Sequence, residues 1–295
     1  LYIRENYLKK IRGFYHADDL IKVITGVRRS GKSSLMQMIA DELKSSGIPE
    51  SQIIYFDLDK REYRNVVTAD KLEALIMSKC VTDEMKYLFI DEVQNVKDFE
   101  TVLNGFRTEG NWSIFITGSN SYLLSGELVT KLTGRYIEFE IFPLNFQEYE
   151  GMKAFFGKPI NSNPMIELTN YILEGGFPRA ILFDDMADKR KYVQGVVSEI
   201  FEKDIRKRLK IKNKENFETV INNFGATTSL NNICDAIRKN GTPINSSTVS
   251  KYIKALIDAK ILYECPRFDM KSKRSISGEK KYYLADLSFY YAENT

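Results

Sequence analysis

The residues most able to do chemistry lie in Gly26-Val27-Arg28-Arg29-Ser30-Gly31-Lys32-Ser33, which fits the phosphate-binding pattern GxxxxGK followed by Ser or Thr. Glycines at the two ends let the backbone turn tightly, so that successive N–H groups face the β-phosphate of a nucleotide. In that arrangement Lys32 reaches the β- and γ-phosphates and the Ser33 hydroxyl ligates Mg²⁺, with Ser34 completing the predicted cofactor-binding run. The helix expected from about Lys32 to Leu43 adds the positive end of its dipole.

A second set of groups suits hydrolysis. Asp91-Glu92 follows four apolar residues, Tyr87-Leu88-Phe89-Ile90, in a Walker B arrangement: Asp91 holds Mg²⁺ directly or through water, and Glu92 is the base that polarises the attacking water. Thr117-Gly118-Ser119-Asn120 closes another apolar run, where Ser119 or Asn120 would bond the γ-phosphate or the water. The same four residues also read as a turn with a helix N-cap. Arg135, after Gly134, is either a stabiliser of charge on the transferring phosphoryl group or a solvated loop cation.

The elements that must position these groups alternate strictly. Strands are expected at Ile21 to Thr25, Ile53 to Leu58, Tyr87 to Ile90, Ser113 to Thr117 and Tyr136 to Phe142, with helices at Lys32 to Leu43, Ala69 to Cys80, Phe99 to Arg107 and Ser121 to Leu132. Alternation of this kind specifies an α/β fold, a parallel sheet with helices on both faces, and such sheets bind ligands at the carboxyl ends of their strands.

Composition excludes several other classes. A chain of 295 residues with 43% hydrophobic and 28% charged residues buries a sizeable core and fits two or three domains. His16 is the only histidine, which removes zinc sites and catalytic triads that need a second one; on a polar segment, it reads as a solvated side chain. Cys80, Cys234 and Cys265 are far apart and lack CxxC spacing, so a reducing cytoplasm is expected. No apolar run approaches a bilayer span, and no signal peptide is evident. A net charge of +3 does not by itself point to a polyanion. Asn213-Lys214-Glu215-Asn216 fails as a guanine reader, which favours ATP over GTP.

The runs GVRRSGKSSLM (26 to 36), FIDEVQ (89 to 94), ITGSNSYLLSGEL (116 to 128), LTGR (132 to 135), FPLNFQEY (142 to 149) and GGFPRA (175 to 180) together resemble the prokaryotic ATPases that join an AAA-type P-loop domain to a domain called DUF4143. The resemblance implies an AAA+ core of the additional-strand (ASCE) type with the P-loop strand central. It makes Lys32 and Ser33 the Walker A pair, Asp91 and Glu92 the Walker B pair, and Ser119 or Asn120 the sensor. Arg135 takes the position of an arginine finger, which acts only across subunits of a ring, and Pro178 belongs to a GxP element near the adenine or to a helix-ending turn. The resemblance also implies further sequence beyond Thr295, where any effector chemistry would lie.

Composition changes near Gly151, and Gly157 to Pro164 is rich in turn formers. Helical patterns at Met165 to Glu174 and Lys189 to Leu209 suit a lid over a nucleotide. Between Lys203 and Lys214 there are seven basic residues and one acid, either a solvated face or a phosphate-backbone contact. Helices expected at Phe217 to Phe224, Leu230 to Arg238 and Ser247 to Ile261 precede strands at Leu262 to Phe268 and Lys280 to Leu284, a winged-helix order. Ser246, Ser247, Thr248, Ser250, Lys251 and Lys254 would face a DNA major groove, with Lys271, Lys273 and Arg274 on phosphates; winged helices also serve as protein interfaces.

These observations divide the chain into an AAA+ P-loop domain (1–150), a helical lid (151–212) and a winged-helix domain (213–295). The expected activity is ATP- and Mg²⁺-dependent hydrolysis coupled to movement of the winged helix, without membrane contact and with double-stranded DNA, a protein or further copies of the chain as partners. The same residues fit a slow nucleotide-dependent switch, or a DNA-binding regulator with little turnover.

Overall fold

The computed structural model describes residues 1–118, 132–206, 235, 238, 239, 245–269 and 274–293. They divide into two compact units: Leu1–Gly26 with Gly31–Ile141, and Val27–Ser30 with Phe142–Thr295.

The first unit is built on five parallel strands, β1 (Ile21–Thr25), β2 (Ile53–Asp57), β3 (Lys86–Asp91), β4 (Trp112–Thr117) and β5 (Tyr136–Glu140), in the order β2-β3-β4-β1-β5. Every residue of β1, β3 and β4 is buried, as expected for strands covered on both faces. The order places β4 between the P-loop strand and the Walker B strand, which is the additional-strand arrangement. β1 is interior, although β4 takes the middle place.

Helices α1 (Glu5–Ile11), α2 (Lys32–Ser45), α3 (Ala69–Lys79) and α4 (Phe99–Glu109) cover the sheet. On one side Leu35, Met36 and Ile39 of α2 pack with Leu8 and Ile11 of α1 and with Phe89 and Phe115 of the sheet. On the other, Leu72 and Ile76 of α3 and Phe99, Leu103 and Phe106 of α4 meet Ile54, Leu88 and Ile114. Burial of each such side chain contributes about 1.5–3 kcal/mol, which fixes the strand register beneath the loops. Helix α1 was not among the expected elements. The helix expected at Ser121 to Leu132 lies largely outside the described residues.

The second unit contains α5 (Phe146–Phe155), α6 (Pro164–Glu174), α7 (Met186–Ile200) running into π-helical turns at Phe201–Arg206, α8 (Ser246–Asp258), the strands β6 (Leu262–Asp269) and β7 (Arg274–Leu284), and α9 (Ser288–Glu293). Phe177, Val193, Val197, Ile200, Leu256 and Phe289 form its core. Helix α5 was not among the expected elements: Asn145 accepts from the Glu148 amide at 2.9 Å and the Glu148 carboxylate accepts from the Asn145 amide at 3.1 Å, a capping box that starts a helix.

β6 and β7 pair antiparallel, and α8 is capped by Asn245, whose side chain accepts from the Thr248 amide at 2.8 Å. Val249, Tyr252, Ile253 and Leu256 are buried, and Ser246, Ser247, Ser250, Lys251 and Lys254 are exposed. The described residues here show one helix followed by a two-stranded hairpin. The helices expected at Phe217 to Phe224 and Leu230 to Arg238, together with Lys271 and Lys273, lie outside the described residues or nearly so. Among the described residues no helix is long and apolar enough to cross a membrane.

Candidate functional site

The phosphate loop leaves β1 at Gly26, where φ is 136° and a Cβ would overlap the carbonyl oxygen of Ile141. The backbone is that close because the Ile141 amide donates to Thr25 O at 2.8 Å, tying the segment after β5 to the end of β1. Only glycine satisfies both the left-handed backbone and the close approach. Gly31, at φ 105°, caps α2 without a side chain, which leaves the start of the helix open to an anion.

Lys32 is buried, and its ammonium donates to Gly26 O at 3.0 Å. Ser33 is exposed and Ser34 half-buried at the first turn of α2. Val27 is buried, and Arg29 adopts a left-handed φ of 69°.

At the ends of β3 and β4 the acids are organised by a hydroxyl. Thr117 Oγ1 donates to Asp91 Oδ1 and accepts from the Glu92 amide at 3.3 Å. Asp91 and Thr117 are both buried, while Glu92 is half-buried with φ 57° and ψ 44°, and Gln94 Nε2 donates to its carboxylate. The left-handed turn at Glu92 sends the chain away from the strand direction and aims the two neighbouring acids differently. The structure therefore adds Thr117 and Gln94 to the site. Both stood in quoted motifs, but a hydrogen bond between neighbouring strand ends has no signature in a single strand.

Arg135 is not with these groups. Its carbonyl accepts from the Ile21 amide at 2.9 Å, and Tyr136 is in register with Ile21 at the amino ends of β5 and β1. The P-loop leaves the carboxyl end of the five-residue β1, about 16 Å further along the sheet. The Arg135 side chain is exposed and donates to Asn104 at 3.4 Å. Within one chain it does not reach the phosphate loop, because parallel strands put all their amino ends on the opposite edge. Ser119 and Asn120 lie outside the described residues. His16, read as merely solvated, is exposed but bonds Tyr87 Oη at 2.6 Å through Nδ1.

In the second unit, Pro178 is half-buried, and the Gly176 before it is held between Leu144 and Asp286: its carbonyl accepts from the Leu144 amide at 2.7 Å and its amide donates to Asp286 Oδ2 at 2.6 Å. Gly176 therefore has a packing role.

Residues 18–150 match a family model described as an AAA domain. An uncharacterized protein of Haemophilus influenzae is 34% identical over 291 residues, covering 96% of this chain and 71% of that protein. The chain belongs to the family of that protein. The family is AAA-type ATPase-like, and an uncharacterized protein of Methanocaldococcus jannaschii is 32% identical over 274 residues, 90% of this chain and 60% of its own length. A solved Walker-type ATPase of Pyrococcus abyssi shares the fold with a TM-score of 0.66 at 15% identity, covering 100% of this chain and 96% of that one.

Residues 165–294 match a domain of unknown function, DUF8612. This corrects the DUF4143 expectation. Of the six runs that carried the resemblance, five lie before residue 150, so they identified the AAA half and left the second half to a single motif.

Proposed function

We propose that this protein is an ATPase in which the loop from Gly26 to Ser34 holds ATP and Glu92 activates water. The observation that carries this reading is the Thr117 hydroxyl, which joins the Asp91 carboxylate and the Glu92 backbone at the carboxyl ends of two adjacent strands. Lys32 supplies positive charge to the phosphates, and the open start of α2 supplies its amides. Glu92 takes a proton from water as the oxygen attacks the γ-phosphorus, the bond from that phosphorus to the β,γ-bridging oxygen breaks and ADP leaves, while Gln94 restrains the Glu92 carboxylate. The hard oxygen donors of Ser33 and Asp91 fit Mg²⁺, which takes one or two protein carboxylates alongside substrate phosphates. When bound, that ion neutralises developing phosphate charge.

In this reading residues 1–150 are the AAA+ domain, 151–212 a helical lid and 213–295 a winged-helix domain whose orientation ATP biases. Steady-state phosphate release tests the chemistry. Wild type should turn over about 100-fold faster than Glu92→Gln, which should still bind ATP. Equal rates with intact binding would leave a slow nucleotide switch.

A second reading, duplex DNA as partner, is favoured by the exposed face of α8 that carries Ser246, Ser247, Ser250, Lys251 and Lys254. Fluorescence anisotropy with duplex DNA at two salt concentrations tests it, and a flat signal at low salt removes it.

A further inference from the structure

The tip of the phosphate loop is tied down by one carboxylate far away in sequence. Glu199, one residue before the end of α7, accepts from Arg29 through Nε at 3.2 Å and Nη2 at 3.1 Å, and its other oxygen lies 3.7 Å from Arg28 Nη1. Lys203, one turn on in the π-helical segment, is 2.9 Å from that same oxygen. These contacts are internal to the second unit, to which Val27–Ser30 belongs. Beneath them the Val27 side chain is buried in a core that includes Val196, Val197, Ile200 and Phe201. Burial would raise the Glu199 pKa, but hydrogen bonds from Lys203 and Arg29 and the charges of Arg29 and Arg28 outweigh it and hold the carboxyl below its ordinary range.

Two features give this contact consequence. Arg29 holds a left-handed backbone that a long side chain adopts only against strain, and its guanidinium is gripped in two places by Glu199. Helix α7 also leaves regular α geometry two residues after Glu199, at Phe201–Arg206, and π-helical turns occur frequently at functional sites.

We propose that Glu199 is a positioning residue of the phosphate loop, a carboxylate that holds Arg28 and Arg29 and competes for them with the phosphates of a nucleotide. The proposal rests on the nucleotide reading above. A triphosphate offers these arginines a stronger anion than a single carboxylate, so binding draws them off Glu199. Released, Glu199 keeps its ion pair with Lys203, and the end of α7 loses these contacts to the loop arginines. A carboxylate that served packing alone would have no such competition with phosphate.

The test is equilibrium titration of a fluorescent ATP analogue into the full chain and its variants. Glu199→Gln keeps the shape and removes the charge; it should bind about threefold more tightly than wild type at about 50 mM salt, and the gain should shrink at about 300 mM. Glu199→Asp, which keeps the charge, should bind like wild type. In the Arg28→Ala/Arg29→Ala background the effect of Glu199→Gln should vanish, as a coupled pair requires. Equal or weaker binding by Glu199→Gln overturns the proposal. Should that variant fail to fold, hydrogen exchange in wild type decides: residues 199–206 should exchange faster when ATP is added, and unchanged exchange overturns it. Wild type that binds no ATP removes the nucleotide reading itself, whereas wild type that binds ATP with an unmoved variant removes only this inference.

Discussion

The Gly176 amide donates to Asp286 Oδ2 at 2.6 Å across 110 positions of the chain. The other oxygen, Oδ1, accepts from the Ser288 amide at 2.9 Å and from its hydroxyl at 2.5 Å. Gly176 cannot be larger, because a Cβ there would overlap the Leu144 carbonyl oxygen. Three separated runs, around Leu144, Gly176 and Asp286, thus meet at one buried carboxylate. Burial pushes the Asp286 pKa up, against the hydrogen bonds from Ser288 and Gly176 that favour its charged form.

Asp286→Asn should destabilise the protein by about 1–3 kcal/mol, because both carboxylate oxygens accept hydrogen bonds and an amide offers only one acceptor. Urea unfolding measures it. Gly176→Ala should be damaging as well, since the atom it meets is backbone and cannot swing aside.

Thr117→Val keeps the shape of a buried side chain and deletes the hydroxyl shared by Asp91 and Glu92. ATP turnover should fall about tenfold, equivalent to about 1.4 kcal/mol of lost alignment. ATP affinity should change less, because the phosphate loop is untouched. Phosphate release under saturating ATP reports the first quantity and equilibrium titration the second.

Lys22 sets a pH dependence. Its ammonium lies in the first unit, bonded to Ala17 O at 2.5 Å, Leu20 O at 3.0 Å and Ser113 Oγ at 2.9 Å, and burial pulls its pKa from 10.5 down to about 7 despite Asp19 and Asp18. Between these two values the unfolded chain holds a proton that the folded chain releases. Stability from this group therefore rises with pH from about 7 towards 10.5. Lys22→Met should lose that slope, which melting temperatures of both proteins at about pH 6.5 and 9.5 would show.

Arg135→Ala should leave ATP affinity and turnover within about twofold of wild type in dilute solution, because Arg135 lies at the amino end of β5 and β1 is followed by the loop only at its carboxyl end, about 16 Å along the sheet. A collapse of turnover that appears only at high protein concentration would mean that Arg135 serves a neighbouring copy.

Much of the first unit was legible because its signals are local. Ile21 to Thr25 became β1 with the expected bounds, and the apolar spacing of α2, α3 and α4 marked helices that exist. Helix α5 had a readable signal too, the Asn145/Glu148 capping box, which the turn-rich sequence after it obscured. Where Arg135 lies needed the tertiary structure for a different reason: its motif names a residue before a strand, and only the parallel direction of β5 shows which edge that is.

By itself the sequence determined the alternation that builds a parallel sheet and marked the glycine-bracketed loop from Gly26 to Ser33 and the acid pair Asp91-Glu92, since each depends on residues close together in the chain. Tertiary structure alone decided that β4 separates β1 from β3, that Thr117 serves both acids, that Asp286 clamps Gly176 and that Glu199 holds the loop arginines. Strand order and side-chain partnership arise from burying surfaces that distant segments share, and no run of neighbouring residues encodes which distant segment will supply the other half.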